Sequence, residues 1–159
     1  SEATWKVRRA VSPSLRRVAP HKFNEDIVVP RSKVPEMIHA LEAIASEYAV
    51  RIVNFGHAGD GNIHVNVMVD LAEPGMEARV EAVLQAIFRT TVALKGSVSG
   101  EHGIGIAKAP YIGLELDAPT LKAMQAIKQA LDPNNIMNPG KIFPQPVESN
   151  TGSTVPSAP

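Results

Sequence analysis

The spacing of apolar residues changes period several times along the chain. Met37, Ile38, Leu41, Ile44, Ala45 and Tyr48 recur at helical spacing, with Ser32 placed to cap the helix and Pro35 in its tolerated first turn. RIVNF (51–55) and IHVNVMVD (63–70) instead alternate as strands do. The Asp60-Gly61 pair between them predicts a hairpin. A second amphipathic helix is predicted over 76–94, with its stripe on Val80, Val83, Leu84, Ile87, Phe88 and Thr91 and Gly96 as its breaker. A third is predicted over 119–131, with Pro119 at its start and Leu121, Met124, Ile127 and Leu131 on one face.

The remaining segments are shorter. A helix over 3–11 is limited by Pro13, and DIVVP (26–30) reads as a strand closed by proline. SVSGEHGIGIAKAPYIG (97–113) reads as a loop, and 132–144 as turn-rich and then extended. The tail, 145–159, has too few large apolar groups to offset ordering entropy and is expected to be disordered. The order strand, helix, hairpin, helix, loop, helix predicts an α+β fold, an antiparallel sheet with helices packed on one face. No internal repeat is visible.

Within the second strand of the hairpin, Ile63, Val65, Val67 and Val69 share one face, the core face. His64 and Asn66 share the other, roughly 7 Å apart along the strand. A hairpin returning through 58–62 brings His57 back toward His64. Two histidines beside a polar turn are equally what a solvated hairpin looks like, so the pair alone does not decide. The chain has no cysteine, so a metal site here would need a carboxylate as its third ligand. SGEHGIG (99–105) offers Glu101, with His102 beside it, between glycines at 100, 103 and 105 that permit positive φ and close approach. Glu101 could also simply cap or bridge at a turn edge. Neither phosphate-loop pattern is matched.

Composition narrows the function classes. With 16 basic and 16 acidic residues among 159, no net charge draws the chain to nucleic acid or to an anionic membrane. No apolar run is long enough for a membrane span, and the first residues lack the apolar stretch of a signal peptide. A soluble, cytoplasmic protein is expected, peripheral to a membrane only through partners. Arg8, Arg9 and Lys22 could bind a substrate carboxylate or be solvated surface. His21 and His39 have no assignable partner and are expected at the surface.

WKVR (5–8), NEDIVVP (24–30), GHAGDGNIH (56–64), SGEHGIG (99–105) and DPNNIMNPGKIFP (132–144) occur in that order. Together they make residues 3–144 resemble the C-terminal domain of the FAD-linked oxidases of the vanillyl-alcohol oxidase superfamily. The branch resembled is that of D-lactate dehydrogenase, the glycolate oxidase flavoprotein subunit and D-2-hydroxyglutarate dehydrogenase. The resemblance implies a ferredoxin-like cap domain over 1–144 that binds substrate and metal. It implies His57, His64 and Glu101 as ligands of a divalent metal, usually zinc, and His102 as the base. Arg8, Ser12, Lys22 and Asn66 would contact the substrate, although the offset from Lys22 to Asp26 differs from the family's.

The implied reaction is oxidation of a 2-hydroxy acid to the 2-oxo acid by hydride transfer to FAD, with an electron-acceptor protein as a further partner. The family's FAD-binding domain lies N-terminal to this region, and these 159 residues do not supply it. The chain therefore resembles an excised or split C-terminal domain, expected by itself to bind little FAD and to turn over no substrate. The alternative is a non-catalytic metal-binding or interaction module that keeps the cap fold.

Overall fold

A computed structural model of the chain describes residues 2–143. Four helices, α1 (Glu2–Ser14), α2 (Val34–Glu47), α3 (Met76–Ala93) and α4 (Ala118–Leu131), accompany three strands, β1 (His21–Val28), β2 (Arg51–His57) and β3 (Asn62–Val69). The strands form one sheet in the order β1-β3-β2, antiparallel at both pairings. From β1 to α3 the chain follows a ferredoxin-like β-α-β-β-α plan. The fourth strand of that plan is reduced to a single antiparallel bridge between Val28 and Ser97.

The predicted alternation on the central strand holds. Ile63, Val65, Val67 and Val69 meet Met37, Leu41 and Ile44 of α2 and Val83, Ile87 and Phe88 of α3 in one buried cluster. Truncating a ring as enclosed as Phe88 to alanine costs about 3–5 kcal/mol. The other face of β3 is buried as well, so Asn62, His64 and Asn66 are enclosed polar groups that must find partners.

Several element edges differ from expectation. β1 begins at His21, five residues before the predicted strand, because the polar residues Lys22 and Asn24 pair along β3 opposite Met68 and Asn66. It stops at Val28, short of Pro30, which has no N–H for a ladder. α1 runs past the predicted limit at 11 and over Pro13. In a last turn the missing N–H leaves only the carbonyl of an exposed residue, Arg9, without its helical bond, and the Ser14 hydroxyl donates to the Ala10 carbonyl at 2.6 Å.

Ser32 does not cap α2. It lies in a 3₁₀ turn (Arg31–Lys33) that leads into the helix, and Lys33, the residue before Val34, makes no side-chain cap bond. At the end of α3 it is Lys95, at φ 63°, that takes the left-handed position expected of a glycine. α4 starts at Ala118 and is capped by Asp117, whose side chain accepts from the Thr120 N–H at 2.9 Å. None of its residues is buried, and Ile127 and Leu131 are exposed. His21 and His39 lie at the surface, beside Asp70 and Glu42. The expectation for residues 145–159 falls outside the described residues.

Candidate metal centre

The hairpin register carries the two motif histidines to one end of the sheet. His57 is the last residue of β2 and pairs with Asn62. His64, on central β3, lies between Asp26 of β1 and Phe55 of β2. Four residues, 58–61, make the turn, tightened by a bond from the Asp60 N–H to the His57 carbonyl. The imidazoles of His57 and His64 meet edge to face, with centroids 5.4 Å apart and planes at 83°.

Glu101 comes to them from the 97–113 segment, which is irregular up to a 3₁₀ helix (Ala109–Leu114). Its Oε1 lies 3.2 Å from His64 Nε2 and 3.6 Å from His57 Nε2. Two ligands each about 2.0–2.1 Å from a shared tetrahedral cation stand about 3.3 Å apart, so both separations suit the donors of one divalent ion. The His64 side chain forms an enclosed floor at 11% exposure and Glu101 an open rim at 51%, so the cluster is reached from solvent.

The tightest group of potential ligand atoms is a different one: Asp26, His64, Glu101 and His102 bring one each within 4.8 Å of one another, and His57 is not among them. Two features argue for His57 in place of Asp26 and His102. Three of the four acceptor sites of the Asp26 carboxylate are already taken: Oδ2 accepts from the Glu101 N–H at 2.7 Å and the His102 N–H at 2.8 Å, and Oδ1 accepts from Asn62 Nδ2 at 2.5 Å. The His102 ring stacks on His64, 15° from parallel with centroids 5.4 Å apart. Nitrogen lone pairs lie in the ring plane, so stacked imidazoles aim alongside one another, whereas the edge-on His57 can converge with His64.

Burial lowers the pKa of His64, as do the neighbouring His102 and His57, against the opposing pull of Asp26 and Glu101. The shift favours the neutral, ligating form of the ring. For Asp26, burial works to raise the pKa, but the backbone N–H groups of His102 and Glu101, the Asn62 amide and the Lys108 charge hold it below the usual carboxylate value.

The substrate-side expectations are distributed unevenly. Asn66 shares the His64 face but is fully buried, its Nδ2 donating to the Val53 carbonyl at 3.0 Å and the His64 carbonyl at 3.3 Å; its Oδ1 has no hydrogen-bond partner among the described residues. Lys22 lies on β1 opposite Met68 and on the Asp26 face. Arg8 and Ser12 fall within α1, and their side chains lie outside those described.

Sequence reasoning passed over four groups here: Asp26, Asn62, Glu25 and Lys108. Lys108 is buried, donates from Nζ to the Asp26 carbonyl at 2.6 Å and lies 3.9 Å from Glu25 Oε2. Burial pushes the Lys108 pKa down and that of Glu25 up, each partly offset by the other's charge. The available signal was two adjacent acids heading the apolar run IVVP, where charge is otherwise excluded.

The family described as FAD linked oxidases, C-terminal domain, matches residues 1–142. The chain is 42% identical over 141 residues to the glycolate oxidase subunit GlcD of Bacillus subtilis, covering 89% of this chain and 30% of that protein. It is 38% identical over 143 residues to the D-2-hydroxyglutarate dehydrogenase of Stutzerimonas stutzeri, covering 87% of this chain and 30% of that protein. With the D-lactate dehydrogenase of Anaerostipes hadrus it shares 33% identity over 139 residues, covering 87% of this chain and 29% of that protein. The chain thus spans about a third or less of the length of these relatives.

Proposed function

The chain belongs to the FAD linked oxidase C-terminal domain family, and from that premise we propose that it is the metal- and substrate-binding part of a flavin-dependent dehydrogenase of 2-hydroxy acids. The observation that supports this reading most is the approach of both His57 Nε2 and His64 Nε2 to Glu101 Oε1, at 3.6 and 3.2 Å. The relatives bear the names of enzymes of glycolate, D-lactate and D-2-hydroxyglutarate, and the shared chemical class is a 2-hydroxy acid oxidised to a 2-oxo acid.

Three protein donors leave coordination positions open, as a catalytic rather than a structural site requires, and two imidazoles with one carboxylate suit zinc. When bound, the divalent cation supplies Lewis acidity at the substrate hydroxyl and FAD supplies the hydride acceptor. The residues of this chain do the rest. His57, His64 and Glu101 hold the cation at the open rim of the sheet. His102, next to Glu101 and stacked on His64, accepts the hydroxyl proton while the Cα hydride leaves. Arg8 and Ser12, with Lys22, bind the substrate carboxylate, and the enclosed Asn66 acts only through the His64 backbone that it holds. The partners in this reading are a flavin-binding part and an electron-acceptor protein.

Anaerobic addition of glycolate, D-lactate or D-2-hydroxyglutarate to the FAD- and zinc-loaded holoenzyme tests the reading. At least one of them should bleach the flavin absorbance, and His57→Ala should abolish the bleaching. Oxidised flavin after every 2-hydroxy acid would contradict the proposal.

A further inference from the structure

We propose that Asp26 is the positioning residue of this metal site, an anion that holds Glu101 over the histidines before any cation arrives. The inference rests on the metal reading above and adds to it a residue outside the ligand set.

Asp26 is fully buried at the junction of three segments: its own strand β1, the central strand β3 through Asn62, and the 97–113 loop through the N–H groups of Glu101 and His102. Two successive backbone donors on one carboxylate oxygen fix both the height and the direction of the loop where Glu101 and His102 leave it. From behind, Lys108 Nζ donates to the Asp26 carbonyl, so β1 and the loop's downstream end are tied at the same residue. With three donors already on its oxygens, Asp26 is committed chiefly to the loop and to Asn62, and it acts through Glu101 and His64.

Its charge has a second effect. Oδ1 lies 3.8 Å from His64 Nδ1 while His64 Nε2 faces Glu101. An anion on the Nδ1 side favours the tautomer with its proton there and leaves the Nε2 lone pair for the cation, as outer carboxylates do in metal sites. A neutral Asn at 26 could keep its oxygen on the two loop N–H groups. Its amide would then face Asn62, whose Oδ1 has no hydrogen-bond partner among the described residues and can accept once that side chain flips. Asp26→Asn therefore removes the charge and spares the latch, and Asp26→Ala removes both.

The test uses this chain, with zinc affinity read by chelator competition and metal-free exchange of the Glu101 and His102 amides read by NMR. Asp26→Ala should weaken zinc roughly 100-fold and remove protection at both amides, with β3 amides still protected. Asp26→Asn should retain that amide protection and weaken zinc roughly tenfold. This variant decides the matter if the alanine variant does not fold. A zinc-binding wild type whose folded variants bind within twofold of it overturns the inference alone. A wild type that binds no zinc overturns the metal reading and the inference with it.

Discussion

The His102 ring lies nearly parallel to that of His64, 15° between planes, while its own backbone N–H is anchored on Asp26 at 2.8 Å. His102 is thus held beside the donor set, a ring nitrogen within 4.8 Å of the ligand atoms of His64 and Glu101. If it serves as the base, His102→Gln should lower turnover of the holoenzyme roughly 100- to 10,000-fold and leave zinc affinity within about threefold. A matched loss of both, measured by steady-state rates and chelator competition, would make it a ligand.

Gly100 has no room for a side chain. A Cβ there would stand 2.1 Å from Asn62 Nδ2 and 2.8 Å from Asp26 Oδ1, inside the bond that joins β1 to β3. Gly100→Ala should cost about 1–3 kcal/mol in denaturant unfolding and weaken zinc binding as well. Gly103 has open space around its Cβ position but a φ of +78°, so Gly103→Ala should be strained locally and spare the Asp26–Asn62 bond.

How far these features could be read from residues alone follows from the range of the forces involved. The alternation of Ile63, Val65, Val67 and Val69 and the stripe on α3 are short-range patterns, and they marked the core and the central strand. The hairpin and the family resemblance name His57, His64 and Glu101 together, but the distances among them are set by the β2–β3 register and by a loop 37 residues beyond His64. β1 was read short because HKFNE alternates charged and polar groups that only pairing with a buried partner strand makes tolerable. Asp26 was invisible as a hub for the same reason: its partners at 62, 101 and 102 are remote in sequence. The apolar face of α4 was legible as a helix face, but its outward orientation was not.

The Lys108–Glu25 pair is enclosed on both sides, at 6% and 9% side-chain exposure. Lys108→Met should destabilise the fold by about 3–5 kcal/mol, because Glu25 is left buried without its counter-charge. Adding Glu25→Leu should recover part of the loss. Urea unfolding of the two singles and the double measures the coupling, and strictly additive losses would contradict it.

Asp132 accepts from Lys128 and from the N–H groups of Ile136 and Met137 at 3.0 and 2.9 Å. These contacts, the lysine's first, lower its pKa below 3.8 against the effect of burial. A depressed carboxylate stabilises above its unfolded value and loses that contribution as pH falls through the folded one. The turn after α4 should therefore be intact at pH 5 and loosen below about pH 4. The Ile136 and Met137 amide shifts should titrate together with a midpoint below 3.8. A midpoint above that value, or an unchanged titration in Asp132→Asn, would contradict the assignment.

In the function proposed for this chain, His57, His64 and Glu101 hold one divalent cation. Metal analysis of the purified chain after zinc loading and dialysis tests it most directly, with His57→Ala, His64→Ala and Glu101→Gln alongside. Wild type should retain close to one zinc per chain, and each variant should lose most of it. Wild type and variants that carry the same small amount of zinc would contradict it.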